Sequence, residues 1–352
     1  MAITIAVDAM GGDNAPLEII KGTIISLELH DDLNTVLVGD TSAIENTFKE
    51  LDEEINPDRI SLVNAEQVVG MDESPKKALK EKPDASITVA MKLIKEGKAD
   101  ALVSAGNTGA VILAAAQNLP IIHGIERTGL AAIYPVAKFY RKSKGFALML
   151  DVGATIHCTS RQLVHFAFMG SYYVKKVLDI PDPHVALLNI GEEETKGGEV
   201  LTKAYKYLKE AEDINFIGNI EGKDIPKGIA DVVVTEGFVG NVVLKMLEGV
   251  SDVAKDMGKY AFKQKLSWKI GLAFLRSGMK RLKVKTDYSE YGGAPILGFE
   301  KLVIKAHGRS NAKAISNAIN VAKRSAEEDV CTHIADSITK FNATHQMDLM
   351  EI

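Results

Sequence analysis

The chain has 352 residues, 46% hydrophobic and 25% charged, with a formal net charge of -5. It is long enough to bury a large core, as one big or two ordinary domains, and it has no linker, tandem repeat or low-complexity stretch. Its two cysteines fit neither a disulfide framework nor a zinc spacing. No run of about 18 apolar residues could span a bilayer, and Met1 leads straight into a strand-like stretch, so the expected setting is a reducing cytoplasm.

Short apolar runs ending in Gly, Asp or Asn alternate with helical patterns along most of the chain, which predicts an α/β fold with a doubly wound, mostly parallel sheet. The first, "ITIAVDA", runs into "VDAMGGDNAP". There Gly11 and Gly12 form a turn, Pro16 enters the first turn of a helix, and Asp13 and Asn14 are placed to cap it. Asp8 and Asp13 flank this turn at a strand end, where ligands of open parallel sheets bind. Good capping alone would also account for the pattern. "TVLVGD" and "ISLVNA" follow as strands.

"ADALVSAG" then feeds "SAGNTGAVILAAA", a Gly-rich turn opening an alanine-rich helix. The unpaired N–H groups of a helix start, backed by the positive end of the helix dipole, suit an anion. Gly106 and Gly109 allow close approach, while Ser104, Asn107 and Thr108 supply further donors, so phosphate is the expected ligand. Any α/β chain needs turns of this kind. The argument for function is repetition, because at least six such strand ends are expected to converge on one edge.

"GLAAIYPV" and "FALMLDVG" are the next strands, the second ending in Asp151 and Gly153. His157 and Cys158 in "DVGATIHCTS" invite a nucleophile reading, although a lone cysteine is more often a small core residue. After "HVALLNIG", the turn "NIGEEETKGGE" holds three glutamates and Lys196; a cation inside a first helical turn opposes the dipole, and a ligand anion would explain it. "INFIGNI" and "ADVVVTEG" complete the series. The latter passes through Gly237 and Gly240 into a helix with Asn241 as a donor, and that helix is unusually long and expected to project from the sheet.

Residues 257–286 carry nine Lys or Arg and no acid. Lys265, Lys269, Arg276 and Lys280 fall on one helical arc, and apolar residues including Trp268 and Leu272 cover much of the rest. That pattern suits a helix lying in an anionic membrane surface, or a helix hairpin in a dimer interface. Apolar bulk with one Trp and no RNA-binding signature argues against nucleic acid. His307 in "VIKAHGRSNAKAI", between an apolar strand and a helix beginning near Ser310, is the best acid/base residue. No His pair has a helical metal spacing, and no nucleotide or dinucleotide fingerprint is present, so neither metal nor cofactor is expected.

In order and over essentially the whole chain, "VDAMGGDNAP", "SAGNTGA", "LDVGA", "LLNIGEEETKG", "EGFVGN", "YGGAPILG" and "KAHGRSNAKAI" resemble the bacterial acyl-ACP:phosphate acyltransferases of phospholipid synthesis. The resemblance implies transfer of a long-chain acyl group from acyl carrier protein to inorganic phosphate. It also implies a fold like isocitrate dehydrogenase and phosphate acetyltransferase, a homodimer, and attachment to the inner face of the membrane beside a glycerol-3-phosphate acyltransferase. On this reading residues 1–352 are one catalytic unit, with 237–286 as projecting helices for dimer or membrane contact. Asp8, Lys196 and His307 are the expected catalytic groups. Phosphate and substrate are expected at Gly11, Gly12, Asp13, Ser104, Gly106, Asn107, Thr108, Gly109, Asp151, Gly153, Gly237 and Asn241. The basic segment is also a candidate dock for the acidic carrier protein. Two departures stand out: Thr155 and His157 replace Asn and Asp in "DVGATIHC", and Arg309 replaces a small residue. A phosphate acetyl- or butyryltransferase using coenzyme A is the nearest rival, followed by a decarboxylating dehydrogenase and a non-catalytic scaffold.

Overall fold

A computed structural model describes residues 2–137, 144–264 and 292–344. All nine runs named above form strands: β1 (Ile3–Asp8), β2 (Leu33–Gly39), β3 (Ile60–Asn64), β4 (Ala101–Ser104), β5 (Gly129–Pro135), β6 (Phe146–Leu150), β7 (Val185–Leu188), β8 (Phe216–Ile220) and β9 (Val232–Val234). Two more, β10 (Ala294–Leu297) and β11 (Leu302–Lys305), complete an 11-stranded sheet of order β3-β2-β1-β4-β11-β10-β5-β6-β9-β7-β8.

Apolar side chains alternate between its faces, as strand geometry requires when both faces are covered. One face packs Ile5, Val7, Val103 and Ile304 beneath α1 (Leu17–Leu29), α2 (Thr41–Glu50), α6 (Ser160–Val177) and α7 (Gly198–Glu210), with α9 (Ala312–Glu327) and α10 (Val330–Thr344). The other packs Ala6, Leu102 and Val303 beneath α3 (Pro75–Glu81), α4 (Ser86–Lys95) and α5 (Thr108–Asn118). Helix α8 (Gly237–Gln264) joins the second face through Val239, Val243 and Leu247. Its remaining flank exposes Phe238, Val242, Met246, Val250, Val253, Met257 and Tyr260.

The sheet does not run one way. Strands β3, β2, β1, β4 and β11 are parallel, but the β11–β10, β10–β5 and β5–β6 pairs are all antiparallel. Three reversals leave β6, β9, β7 and β8 parallel to one another and opposite to the first group. The expectation that all the Gly-rich turns converge on one edge is therefore corrected. The turns after β1, β4 and β11 open at one edge, and those after β6, β7 and β9 open at the other. Asp8 and Asp151 are five strands apart, a sideways offset of about 24 Å at ~4.8 Å per strand, with the length of the sheet added to it.

Candidate functional site

Strands β1, β4 and β11 are sheet neighbours, so their C-terminal turns lie side by side, and they interlock. A Cβ on Gly11 would come within 2.5 Å of Asp8 Oδ2 and 2.7 Å of Gly106 N. Gly12, at φ +104°, fits between Ala105 and the Gly308 carbonyl. The Asp13 N–H donates to Gly308 O at 2.8 Å, and Asn14 Nδ2 donates to Ser310 O at 3.2 Å. Asp13 and Asn14 thus tie the first turn to the third instead of capping α1, whose N-cap is Pro16 without a side-chain cap.

The buried Asp8 carboxyl lies under these turns. Ser104 Oγ donates to Asp8 Oδ2 at 2.6 Å and accepts from Gly106 N at 3.1 Å. Asp8 Oδ1 is buried and, among the described residues, meets no donor at hydrogen-bonding geometry. A pocket of about 210 Å³, counting its open mouth, lies beside it, lined by Asp8, Gly11, Ser86, Gly106, Asn107 and apolar residues including Val69 and Val111. Burial raises the Asp8 pKa against the opposing effects of Ser104, Ser86, the Met10 N–H and Lys305. Because Ser104 occupies Oδ2, a proton on Asp8 belongs on Oδ1, the oxygen without a partner.

Helix α5 starts directly over β4. Asn107 Oδ1 caps it by accepting from Ala110 N at 3.2 Å, and Asn107 Nδ2 donates to the carbonyls of Gly70, Met71 and Glu73 at 3.3, 2.9 and 3.1 Å. The Asn107 side chain is therefore used up in holding the 70–73 loop, whose Met71 packs against Gly308. The side chain thus acts as a helix cap and a loop clamp. The exposed Thr108 and its neighbour Gly109 hold the first two helical positions, where an N–H has no intrahelical acceptor. Amides in this position at a helix start can hold an anion.

His307 borders the third turn. Arg309 N donates to His307 Nδ1 at 3.1 Å, which places the proton of the neutral ring on Nε2. Burial and the Lys305 charge hold its pKa below the ordinary histidine value. The neutral ring presents Nε2–H as a donor, its Nδ1 lone pair being taken by Arg309 N. Arg309, mostly exposed, has Nε 3.8 Å from Asp13 Oδ2.

Sequence reasoning missed Lys305. It ends β11 at 6% exposure and donates through Nζ to Ala105 O at 3.4 Å and, more closely, to Ala306 O. Burial lowers its pKa to about 8, opposed by the charges of Asp8 and Asp13. A Lys closing a four-residue apolar strand reads as a solvated strand end. Only its place between β4 and β10 makes it interior.

The opposite edge is built differently. Asp151 Oδ1 accepts from the N–H groups of Leu130, Gly153 and Ala154, and Oδ2 accepts from Ala154 N, Thr155 N and Thr155 Oγ1, all within 2.7–3.1 Å. Thr155 Oγ1 also accepts from Gly237 N at 3.0 Å, so the threonine of "GATIHC" bridges the β6 turn to the start of α8. A Cβ on Gly237 would lie 2.4 Å from Asp151 Oδ2. The exposed Asn241 stands next to Gly153. His157 is exposed, with Nδ1 3.6 Å from Glu236 Oε2. Burial raises the Cys158 thiol to about 11, which keeps it protonated and removes the nucleophile reading.

Lys196 precedes Gly197, the N-cap of α7, so it is outside the first helical turn, contrary to expectation. Asn189 Nδ2 donates to its carbonyl at 3.0 Å. Within one chain the structure does not bring Lys196, Asp151, Gly153, Gly237 or Asn241 to the Asp8 cluster. Lys265, Trp268, Lys269, Leu272, Arg276 and Lys280 lie outside the described residues.

Comparison with known proteins agrees with this architecture. The sequence model of a family described as "Fatty acid synthesis protein" matches residues 3–333. Proteins named phosphate acyltransferase from Heliobacterium modesticaldum and Thermoanaerobacter pseudethanolicus are 48% and 44% identical, each over 95% of this chain and 97% of the relative. A phosphotransacetylase structure from Streptococcus pyogenes shares the fold with a TM-score of 0.64, at 18% identity over 93% of this chain and 94% of that one.

Proposed function

The chain belongs to the phosphate acyltransferase family of fatty acid and phospholipid synthesis and is an acyltransferase; from that premise we propose that its donor is a long-chain acyl-acyl carrier protein and its acceptor inorganic phosphate. The observation that carries this reading is the interlocking of three turns at one sheet edge. It brings the start of α5, the His307 turn and the buried Asp8 carboxyl to the same edge, with a pocket lined by Asp8, Gly11, Ser86, Gly106 and Asn107 beside that carboxyl.

In the proposed reaction a phosphate oxygen forms a bond to the thioester carbonyl carbon and the carbon–sulfur bond breaks. The proton of hydrogen phosphate ends on the sulfur. Phosphate is already a competent nucleophile at neutral pH, so the site must position it, stabilise the oxyanion and deliver the proton. Thr108 and Gly109 hold phosphate, His307 Nε2–H faces the developing negative charge, and Asp8 Oδ1 gives its proton to the departing sulfur. Asp8 is then reprotonated by the proton that phosphate loses.

A homodimer, with each long α8 covered by a second copy, fits the apolar flank from Phe238 to Tyr260, where Met246, Val250, Val253, Met257 and Tyr260 alternate at spacings of four and three. Among the described residues no helix is long and apolar enough to cross a membrane. Peripheral attachment to the inner face of the cell membrane, from a cytoplasmic location, rests on the basic and apolar pattern of 257–286. Lys196, Asp151, Gly153, Gly237 and Asn241 lie at the other edge and have no part in the proposed phosphate site.

The test supplies palmitoyl-acyl carrier protein and phosphate and traps acyl phosphate with hydroxylamine. Phosphate-dependent hydroxamate is expected. Product from acetyl-coenzyme A alone would transfer the assignment to an acetyl- or butyryltransferase, and product from neither donor would defeat the proposal.

A further inference from the structure

A buried lysine costs stability unless something requires its charge, and a well-packed apolar side chain would serve the core better. Lys305 satisfies two of its three donors with the carbonyls of Ala105 and Ala306, the residues just beyond the ends of β4 and β11. Carbonyl and N–H point opposite ways across a trans peptide. Fixing the Ala105 carbonyl therefore aims the Gly106 N–H away from Lys305. That N–H donates to Ser104 Oγ, and Ser104 Oγ donates to Asp8 Oδ2. A continuous hydrogen-bonded path runs from the cation to the carboxyl, and each bond in such a chain polarises the next. Fixing the Ala306 carbonyl likewise aims the His307 N–H away from Lys305, into the third turn.

We propose that Lys305 is a positioning residue for acyl transfer: through the Ala105–Gly106 peptide and Ser104 it sets the proton affinity of Asp8, and through Ala306 it orients the His307 peptide. It touches no substrate. Its charge favours ionised Asp8, while burial favours the neutral acid, and the balance keeps Asp8 able both to give a proton and to recover one. The charged or titratable groups around the pair are Asp13 on the first turn and His307 and Arg309 on the third. Lys245 and Glu248 of α8 act on His307. Ser86 and Ser104 face Asp8 from α4 and β4. The kinetic consequence rests on the acyl-transfer reading, whereas the coupling of Lys305 to Asp8 does not.

The experiment follows the Asp8 carboxyl by carbon-13 NMR in protein labelled at aspartate side-chain carbons, with Asp8→Asn assigning the signal. No acyl donor is needed. In the wild type, the Asp8 signal is expected to show a second inflection where Lys305 loses its proton, because strongly coupled groups titrate as a pair. In Lys305→Met the Asp8 midpoint should rise by about one unit or more, and Lys305→Arg should keep it near the wild-type value. The acid limb of kcat/KM should shift with it, and kcat at neutral pH should fall roughly 10–100-fold in Lys305→Met. A lysine that served only packing would change Tm and leave the Asp8 midpoint in place, which would overturn the proposal. If Lys305→Met does not fold, the wild-type titration decides: a single Asp8 inflection unaffected across the Lys305 range refutes the coupling. A coupled titration without hydroxamate formation in the proposed assay would leave the pair intact and strike the acyl-transfer reading alone.

Discussion

Two edges of one sheet carry the same local design, a parallel strand ending in Asp and running into a Gly-rich turn, yet they use the carboxylate in opposite ways. Six hydrogen bonds from four residues saturate Asp151. Among the described residues Asp8 has a donor, Ser104, on one oxygen and none on the other, while equally withdrawn from water. A carboxylate whose lone pairs are all engaged is a strut. A buried one with an open oxygen carries a standing cost, and Asp8 ends β1 at the edge proposed for the anion.

The comparison breaks most sharply by exchanging each acid for its amide. Asp8→Asn is expected to lower kcat by roughly 10²-fold or more while leaving the urea midpoint close to wild type. Asp151→Asn is expected to do the reverse, costing about 2–4 kcal/mol of stability through lost charge-assisted bonds and unmatched amide protons, with kinetics preserved in the folded fraction. Stability losses for both variants would show that the two acids do not divide the work as described.

A smaller effect belongs to Gly237. Gly237→Ala forces a methyl against Asp151 Oδ2 and the Thr155 backbone, so a loss of about 1–3 kcal/mol is expected in denaturant unfolding. Asn107→Ala should cost about 1–2 kcal/mol through the lost cap and free the 70–73 loop. Faster proteolytic cleavage in that loop, measured alongside kcat, would separate a clamp from a ligand. A clamp loses the loop first.

The gentlest test lies away from both edges. Burial pushes the His165 imidazole down to about 4. A depressed folded pKa gives stability that is complete above the unfolded value of about 6.5 and is lost as pH falls toward 4. His165→Phe should flatten the urea midpoint between pH 6.5 and 4 relative to wild type.

Much of the fold was legible because strand and helix periods are local properties. "ITIAVDA" and "ADVVVTEG" could be read without knowing their neighbours. Strand β10, "APIL", could not, being four residues long with Pro295 inside and two glycines before it. The reversal of the sheet had a signal in the sequence. The 10 positions between Pro135 and Phe146 are too few for the crossover that parallel neighbours require, which dictates an antiparallel pair. Reading that gap would have placed Asp151 and Lys196 on the far edge from the start. At the site, Asp8, Ser104 and His307 stood out as polar residues closing apolar strands. The clamp formed by the Asn107 side chain was not legible because a cap and a ligand donor look alike in sequence, and Lys305 was passed over because burial of a strand end depends on sheet order.

The most direct measurement is the amide spectrum of the full chain titrated with inorganic phosphate. Saturable shifts are predicted at Thr108, Gly109 and His307, with Gly153 and Gly237 unmoved. Shifts confined to Gly153 and Gly237, with Thr108 and Gly109 silent, would place the anion at the opposite edge and contradict the account.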